Sequence, residues 1–243
     1  MIWLTSQTQG LSRHLRVNGS SPVEVVVIGA GYAGAIATNR LLASLTEAER
    51  HYVRVRVVNP RAEFVERIRL HQLAAGSRRS VTVPLADVLH EAAELIVGSA
   101  RTIDPDARRV TVETAGGDRL ALPYDHVIYA VGSMAAAPVP GAREHAFLLA
   151  DIDGAERASA AIGGGRRGQR VVVVGGGLTG VEAASEIAEG HAGTRVTLVS
   201  AGWLLVRNES VYAHQAAGIN MAIAGVIAVG AAAIPMLLGG RRA

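Results

Sequence analysis

Residues Pro22–Gly34 read PVEVVVIGAGYAG, an apolar run that opens into Gly29-x-Gly31-x-x-Gly34 and then into an Ala- and Leu-rich helical pattern. Unbroken apolarity over Val25–Ile28 predicts a strand buried on both faces, as parallel strands covered on both sides are. The glycines have separate duties. Gly29 permits the tight turn, Gly31 lets a pyrophosphate approach the backbone, and Gly34 lets the following helix pack close to the strand. The N-terminus of that helix offers free N–H groups and the positive end of its dipole to phosphates. One such loop is weak evidence, but the module recurs at Arg170–Gly180, RVVVVGGGLTG, with Gly175, Gly177 and Gly180 in the same spacing. Two nucleotide loops in one chain suggest two nucleotides meeting face to face, of which a flavin and a nicotinamide are the obvious pair.

The chain has 243 residues, of which 49% are hydrophobic, enough for one large or two small packed cores. Its formal net charge is +3, and all 24 basic residues are Arg, so a P-loop lysine and a Schiff-base lysine are both excluded. The arginines are scattered, with no basic stripe interleaved with aromatics, which argues against a nucleic-acid partner. Absence of Cys removes dithiol chemistry, Fe–S ligation and cysteinyl metal sites. The eight His follow no HxxxH or HExxH spacing, and no metal site is expected. Residues 1–22 lack an apolar stretch of signal-peptide length and read as a flexible arm.

Following the first loop, Tyr32–Leu45 has helical periodicity and Tyr52–Val58 alternates as a strand ending at Asn59-Pro60-Arg61. The end of this second strand is where an acid grips the ribose hydroxyls, about 20 residues after the loop; Asn59 can hydrogen-bond a hydroxyl but brings no charge. Glu63–Ala75, EFVERIRLHQLAA, reads as a short amphipathic segment that is either a solvated helix face or a cover over the reactive end of a flavin. A short strand at Val81–Val83, a helix over Pro84–Ala92 and a strand at Leu95–Val97 are expected next. Arg101–Leu122 has the turn signals of a β-meander, and Tyr124–Val131 is a further buried strand ending in small residues that let a ligand lie close. Asp151–Ile162 is helical. The second unit runs from strand Arg170–Val174 through helix Leu178–Glu189 to strand Arg195–Val199, whose last position is followed by Ser200, uninformative between NAD and NADP.

The order GAGYAG, VNPR, YAVGS and VVVVGGGLTGVEAASEIAE resembles the two-dinucleotide flavoproteins, the pyridine nucleotide-disulphide oxidoreductase-like family; VNPRAEFVERIRLHQLAAG and LADID resemble its type II NADH-dehydrogenase-like branch. The resemblance covers about Val23–Leu205. It implies an α/β chain with two Rossmann-like dinucleotide-binding units: an FAD domain with a β-meander over 23–162 and a partial NAD(P) domain over 168–205. By the same match Gly29, Gly31, Ala33 and Gly34 hold the FAD pyrophosphate. Asn59 and Arg61 lie near its ribose, Ala100 borders the adenine, and Ala130 and Gly132 form a second FAD-contacting loop. Gly175, Gly177 and Gly180 hold the NAD(P)H pyrophosphate, with Glu182 near the nicotinamide. Arg67 is a candidate cation near the flavin, where it would stabilise negative charge on the reduced ring.

Family members continue beyond this length, so the chain reads as C-terminally truncated. In place of their later segments, residues 206–243 form an apolar tail. Its stretch Gln215–Leu238 carries no charge and meets the length of a membrane span, the alternatives being an interfacial or a buried helix. The expected activity is FAD-dependent oxidoreduction, with hydride passing from NAD(P)H to FAD and electrons going on to a small-molecule acceptor such as a quinone. The expected location is cytoplasmic, at the inner face of the cell membrane. Two rivals remain open: a truncated remnant that binds nucleotide without turnover, and a reductase that uses NAD(P)H with no flavin.

Overall fold

The structure is a computed structural model and describes residues 21–133 and 140–200. The N-terminal arm, the linker around Pro138 and the apolar tail of 206–243, with its expected membrane segment, lie outside the described residues. By contact density the chain divides into two compact units. Among the described residues, 21–65 with 82–133 make the first, and 66–81 with 140–200 make the second.

The first unit is built on a six-stranded sheet. In chain order its strands are β1 (Val23–Ile28), β2 (Val53–Asn59), β5 (Ala93–Asp104), β6 (Arg109–Thr114), β7 (Arg119–Pro123) and β8 (His126–Tyr129). They lie in the order β7-β6-β5-β2-β1-β8. β1 pairs in parallel with β2 on one side and β8 on the other, and β2 pairs in parallel with Ala93–Val97 of β5. From Gly98 onward β5 turns to antiparallel pairing with β6, so one strand joins the parallel sheet to the meander. Alternation sorts the β1 side chains into two cores, as period-two geometry requires. Val25 and Val27 pack with Val55, Val57, Leu42 and Leu85 on one face, while Val26 and Ile28 pack with Val58, Val110, Val112 and Leu122 under the meander on the other. This explains why the run around Val26 has no polar alternation: it is covered twice.

Helix α1 (Tyr32–Ser44) returns the chain from β1, and a one-turn helix α2 (Glu47–Arg50) opens on a capping box between Thr46 and Glu49. Two expectations for the next stretch are corrected. Glu63–Ala75 is not one amphipathic segment. Glu63–Val65 is a strand, β3, paired antiparallel with β4 (Thr82–Pro84), and only after a 3-10 turn at Arg67–Arg69 does helix α3 (Leu70–Ala75) begin. Pro84–Ala92 holds only one turn of helix, α4 (Leu85–Val88), because the Asn39 side chain of α1 takes both ends of the exit. It donates to the Val88 carbonyl at 2.7 Å and accepts the His90 N–H at 2.8 Å.

The second unit holds α3 and the short helix α5 (Ala142–His145). Helix α6 (Ile152–Gly163) starts on Asp151, whose carboxylate accepts the Gly154 N–H at 2.7 Å. The two-stranded parallel sheet of β9 (Arg170–Val174) and β10 (Arg195–Val199) is joined by helix α7 (Leu178–Gly190). Its core is Ala75, Ile162, Ala184, Ile187 and Val196. The small Ala75 and Ala184 pack there beside the branched Ile162, Ile187 and Val196. The chain is an α/β fold with two Rossmann-like units.

Candidate functional site

Each unit carries one glycine loop, and the two loops are near copies. Gly29 has φ +97° and Gly175 φ +125°, conformations that L side chains rarely adopt. The Gly29 N–H donates to the Val58 carbonyl and the Gly175 N–H to the Val199 carbonyl, both at 2.8 Å, so each loop is tied to the end of the neighbouring parallel strand. The helix N-caps, Gly31 (φ −72°, ψ −169°) and Gly177 (φ −76°, ψ 175°), are extended and bring no capping side chain. The first N–H groups of α1 and α7 therefore have no side-chain acceptor and, being at a helix start, no intrahelical one. A Cβ at Gly34 would collide with the Gly29 carbonyl oxygen, and one at Gly180 with the Gly175 carbonyl oxygen. A Cβ at Gly31 or Gly177 would meet nothing within 4 Å among the described residues. The third glycine is thus needed for packing and the second for access. An anion with two linked phosphates fits this cradle, which offers bare backbone N–H groups, the positive end of a helix dipole and no side chain in the approach.

In the first unit the carboxyl ends of three parallel strands meet at the cradle, and the strand order reverses direction between β1 and β8, the usual place for a ligand in such sheets. Gly29, Gly31, Ala33, Gly34, Asn59, Arg61, Ala130 and Gly132 all lie at this edge. Ala33 is exposed in the first turn of α1. The Ala130 N–H donates to the Ile28 carbonyl at 2.8 Å, and its backbone lies so close to Gly29 that a Cβ there would strike the Ala130 carbonyl. Gly132 has φ +73°. Ala100 lies on β5 beyond its parallel stretch, next to a register shift, and packs half-buried against the core under the meander. Tyr32, the first residue of α1, stands edge-to-face on Phe64 with ring centroids 4.9 Å apart.

Asn59 does more than face a ribose. Its Oδ1 accepts the Ala30 N–H at 3.0 Å and its Nδ2 donates to the Arg61 carbonyl at 2.7 Å. One amide therefore fixes both the glycine loop and the turn after β2, leaving one lone pair and one N–H for a ligand. A carboxylate could make the first of these bonds but not the second.

In the second unit the Arg67 guanidinium donates to the Ala150 carbonyl at 2.7 Å. Glu182, in the second turn of α7, lies against His71 of α3, with Nδ1 3.5 Å from Oε2. His191, just past α7, has Nε2 2.7 Å from the Ala75 carbonyl. A carbonyl only accepts, so this nitrogen carries a proton. The His71 and Asn59 contacts were not visible beforehand, since each joins residues far apart or serves the backbone. Among the described residues no cluster of acidic and histidine side chains could hold a metal, and no helix is long and apolar enough to cross a membrane.

Residues 23–233 match the family described as pyridine nucleotide-disulphide oxidoreductase, a match that runs past Leu205 into the apolar stretch. An NADH dehydrogenase-like protein of Mycobacterium tuberculosis is 35% identical over 174 residues, covering 67% of this chain and 42% of that protein. An external alternative NAD(P)H-ubiquinone oxidoreductase of Solanum tuberosum mitochondria is 29% identical over 69% of this chain and 32% of its own length. The chain thus spans less than half the length of these curated relatives. Plasmodium falciparum NDH2, solved in complex with NADH, superposes with a TM-score of 0.62 at 20% identity, over 75% of this chain and 43% of that one, a likeness of fold.

Proposed function

From the premise that this chain belongs to the pyridine nucleotide-disulphide oxidoreductase family, we propose that it is an FAD-dependent NAD(P)H oxidoreductase of the NADH-dehydrogenase-like type. The observation that carries this reading is the duplicated cradle: Gly29, Gly31 and Gly34 in one unit and Gly175, Gly177 and Gly180 in the other have similar backbone conformations, with positive φ at the first glycine and the same close packing at the third. When bound, the flavin supplies a two-electron acceptor for the nicotinamide's hydride and passes electrons on.

The chain's own part is to bind and orient. In the first cradle the N–H groups after Gly31 hold the FAD pyrophosphate, Asn59 keeps the loop closed, and Ala130 and Gly132 give the cofactor a side-chain-free approach. Ala100 borders the adenine and Arg61 the ribose. In the second, the N–H groups after Gly177 hold the NAD(P)H pyrophosphate, and Glu182 stands one turn further along α7 toward the nicotinamide end. Arg67 contributes positive charge near the reacting ring, its position fixed by the Ala150 carbonyl. Hydride transfer demands orientation more than acid–base groups, which accords with a site built from glycine and backbone. The name of the Solanum tuberosum relative supports a quinone as acceptor, and with it a place at a membrane surface.

The visible spectrum of the purified chain, before and after anaerobic NADH, tests the reading. A flavin band that bleaches supports it. A colourless chain that takes up no added FAD refutes it and leaves a nucleotide-binding protein without turnover, or one that uses NAD(P)H alone.

A further inference from the structure

We propose that His71 is a positioning residue that fixes the Glu182 carboxylate beside the second cradle, and through it the affinity for the nicotinamide end of the dinucleotide. This rests on the function proposed above. The two side chains differ in freedom. The His71 side chain is 11% exposed and that of Glu182 41%. His71 sits on a helix with little room to move. Leu70, Leu73, Ala74 and Ala75 of α3 are buried, Gly76 closes its end in the left-handed conformation, and the Ala75 carbonyl is held by His191 of the second unit. Arg69, just before α3, is braced by Glu66 and Gln72. Glu182 is longer and wetter and has several rotamers within reach, so the imidazole selects among them.

The position of Glu182 gives that choice a consequence. It lies four residues after Leu178, the first residue of α7, and so on the same helix face one turn along. Leu178 is 63% exposed, which marks that face as open at the mouth of the cradle. Side chains on a helix lean toward its N-terminus, which here is the phosphate-binding end. A carboxylate held there by His71 is oriented toward whatever extends from the pyrophosphate. Without the imidazole the carboxylate would spend its time in solvent.

Calorimetric titration of the full chain with NADH tests this on four variants. Glu182→Gln and His71→Leu are each expected to weaken NADH binding about two- to five-fold, the range for loss of one modest polar contact. The double variant is expected to be no weaker than either single one. His71→Asn, whose amide nitrogen stands where Nδ1 stood, is expected to restore most of the affinity, which recovery of packing volume alone would not do. The proposal falls if His71→Leu binds like the parent while Glu182→Gln does not, if the two losses add, or if His71→Asn is as weak as His71→Leu. Unchanged binding in every variant overturns it and leaves the functional reading standing; a parent chain that binds no NADH overturns both.

Discussion

Alanine at the second and at the third glycine of the first loop should fail in opposite ways, and this pair of substitutions separates packing from access. At Gly34 the new Cβ would lie 2.9 Å from the Gly29 carbonyl carbon and closer still to its oxygen. Neither side can yield cheaply, since the Gly29 peptide is tied to Val58 and abuts Ala130, and the colliding atoms are backbone. Helix α1 must withdraw, loosening Leu42 of the first core and the buried Thr38. Overpacking of this kind costs about 1–3 kcal/mol, and backbone on both sides places Gly34→Ala near the upper end, about 3 kcal/mol. For a chain of this size that lowers Tm by about 6–12 °C. At Gly31 the backbone is one that alanine adopts and the Cβ meets nothing. The poorer N-cap costs a few tenths to about 1 kcal/mol, and the stiffer unfolded chain returns about 0.4–1 kcal/mol, so Tm should move by no more than about 2–3 °C. The methyl group then stands in the phosphate approach, and FAD affinity should fall at least about ten-fold, or about 1.4 kcal/mol. Differential scanning fluorimetry and flavin fluorescence titration read the two effects. A Gly34→Ala chain that melts with the parent would rule out the packing role of Gly34, and a Gly31→Ala chain that keeps full flavin affinity would rule out the access role of Gly31.

Asn59→Leu should cost about 1–3 kcal/mol in urea unfolding, because the Ala30 N–H, on a residue only 2% exposed, loses its acceptor; Asn59→Asp should do less harm to that bond but lose the one to Arg61. Asp151→Ala should destabilise the second unit by about 1 kcal/mol through loss of the α6 cap, read as a lower urea midpoint. The hydrogen bond from Arg101, aided by its charge, holds the Glu113 carboxyl below the usual carboxylate range. Its contribution to stability is therefore complete above that range and is lost as pH falls through the lowered folded value. Unfolding at pH 3 and pH 6 should accordingly differ less in Arg101→Gln than in the parent, and the difference should shrink in added salt. An unchanged gap would contradict the assignment.

The parts legible in the sequence were those that glycine and unbroken apolarity specify. Val25–Ile28, Arg170–Val174 and both glycine loops fall where their motifs place them, since a positive φ at Gly29 or a helix pressed against it at Gly34 leaves few alternatives. What could not be read was decided by distant partners. Strand β5 reads in the sequence as two pieces because Gly98, Ser99 and Ala100 have little strand preference. Gly98 is there because the β6 backbone comes so close that a Cβ would lie 2.8 Å from the Glu113 carbonyl oxygen. The early end of α4 depends on Asn39, about fifty positions away, and β3 exists only through its pairing with β4. The same holds at the candidate site. The spacing of Asn59 from the first loop marked a ribose-facing position, but its grip on Ala30 and Arg61 is a fact of three dimensions. Glu182 is marked only by the family resemblance of the helix that follows its loop, and nothing in LHQLAA announces that His71 meets it.

The proposed function requires one chain to hold two dinucleotides, each in its own cradle. Binding stoichiometry measures that directly, with equilibrium dialysis of the full chain against FAD and NADH, alone and together, repeated on Gly31→Ala and Gly177→Ala. One FAD and one NADH are expected per chain, with Gly31→Ala losing only FAD and Gly177→Ala losing only NADH. A single nucleotide per chain, or loss of both ligands from either substitution in a chain that remains folded, would contradict the proposed function.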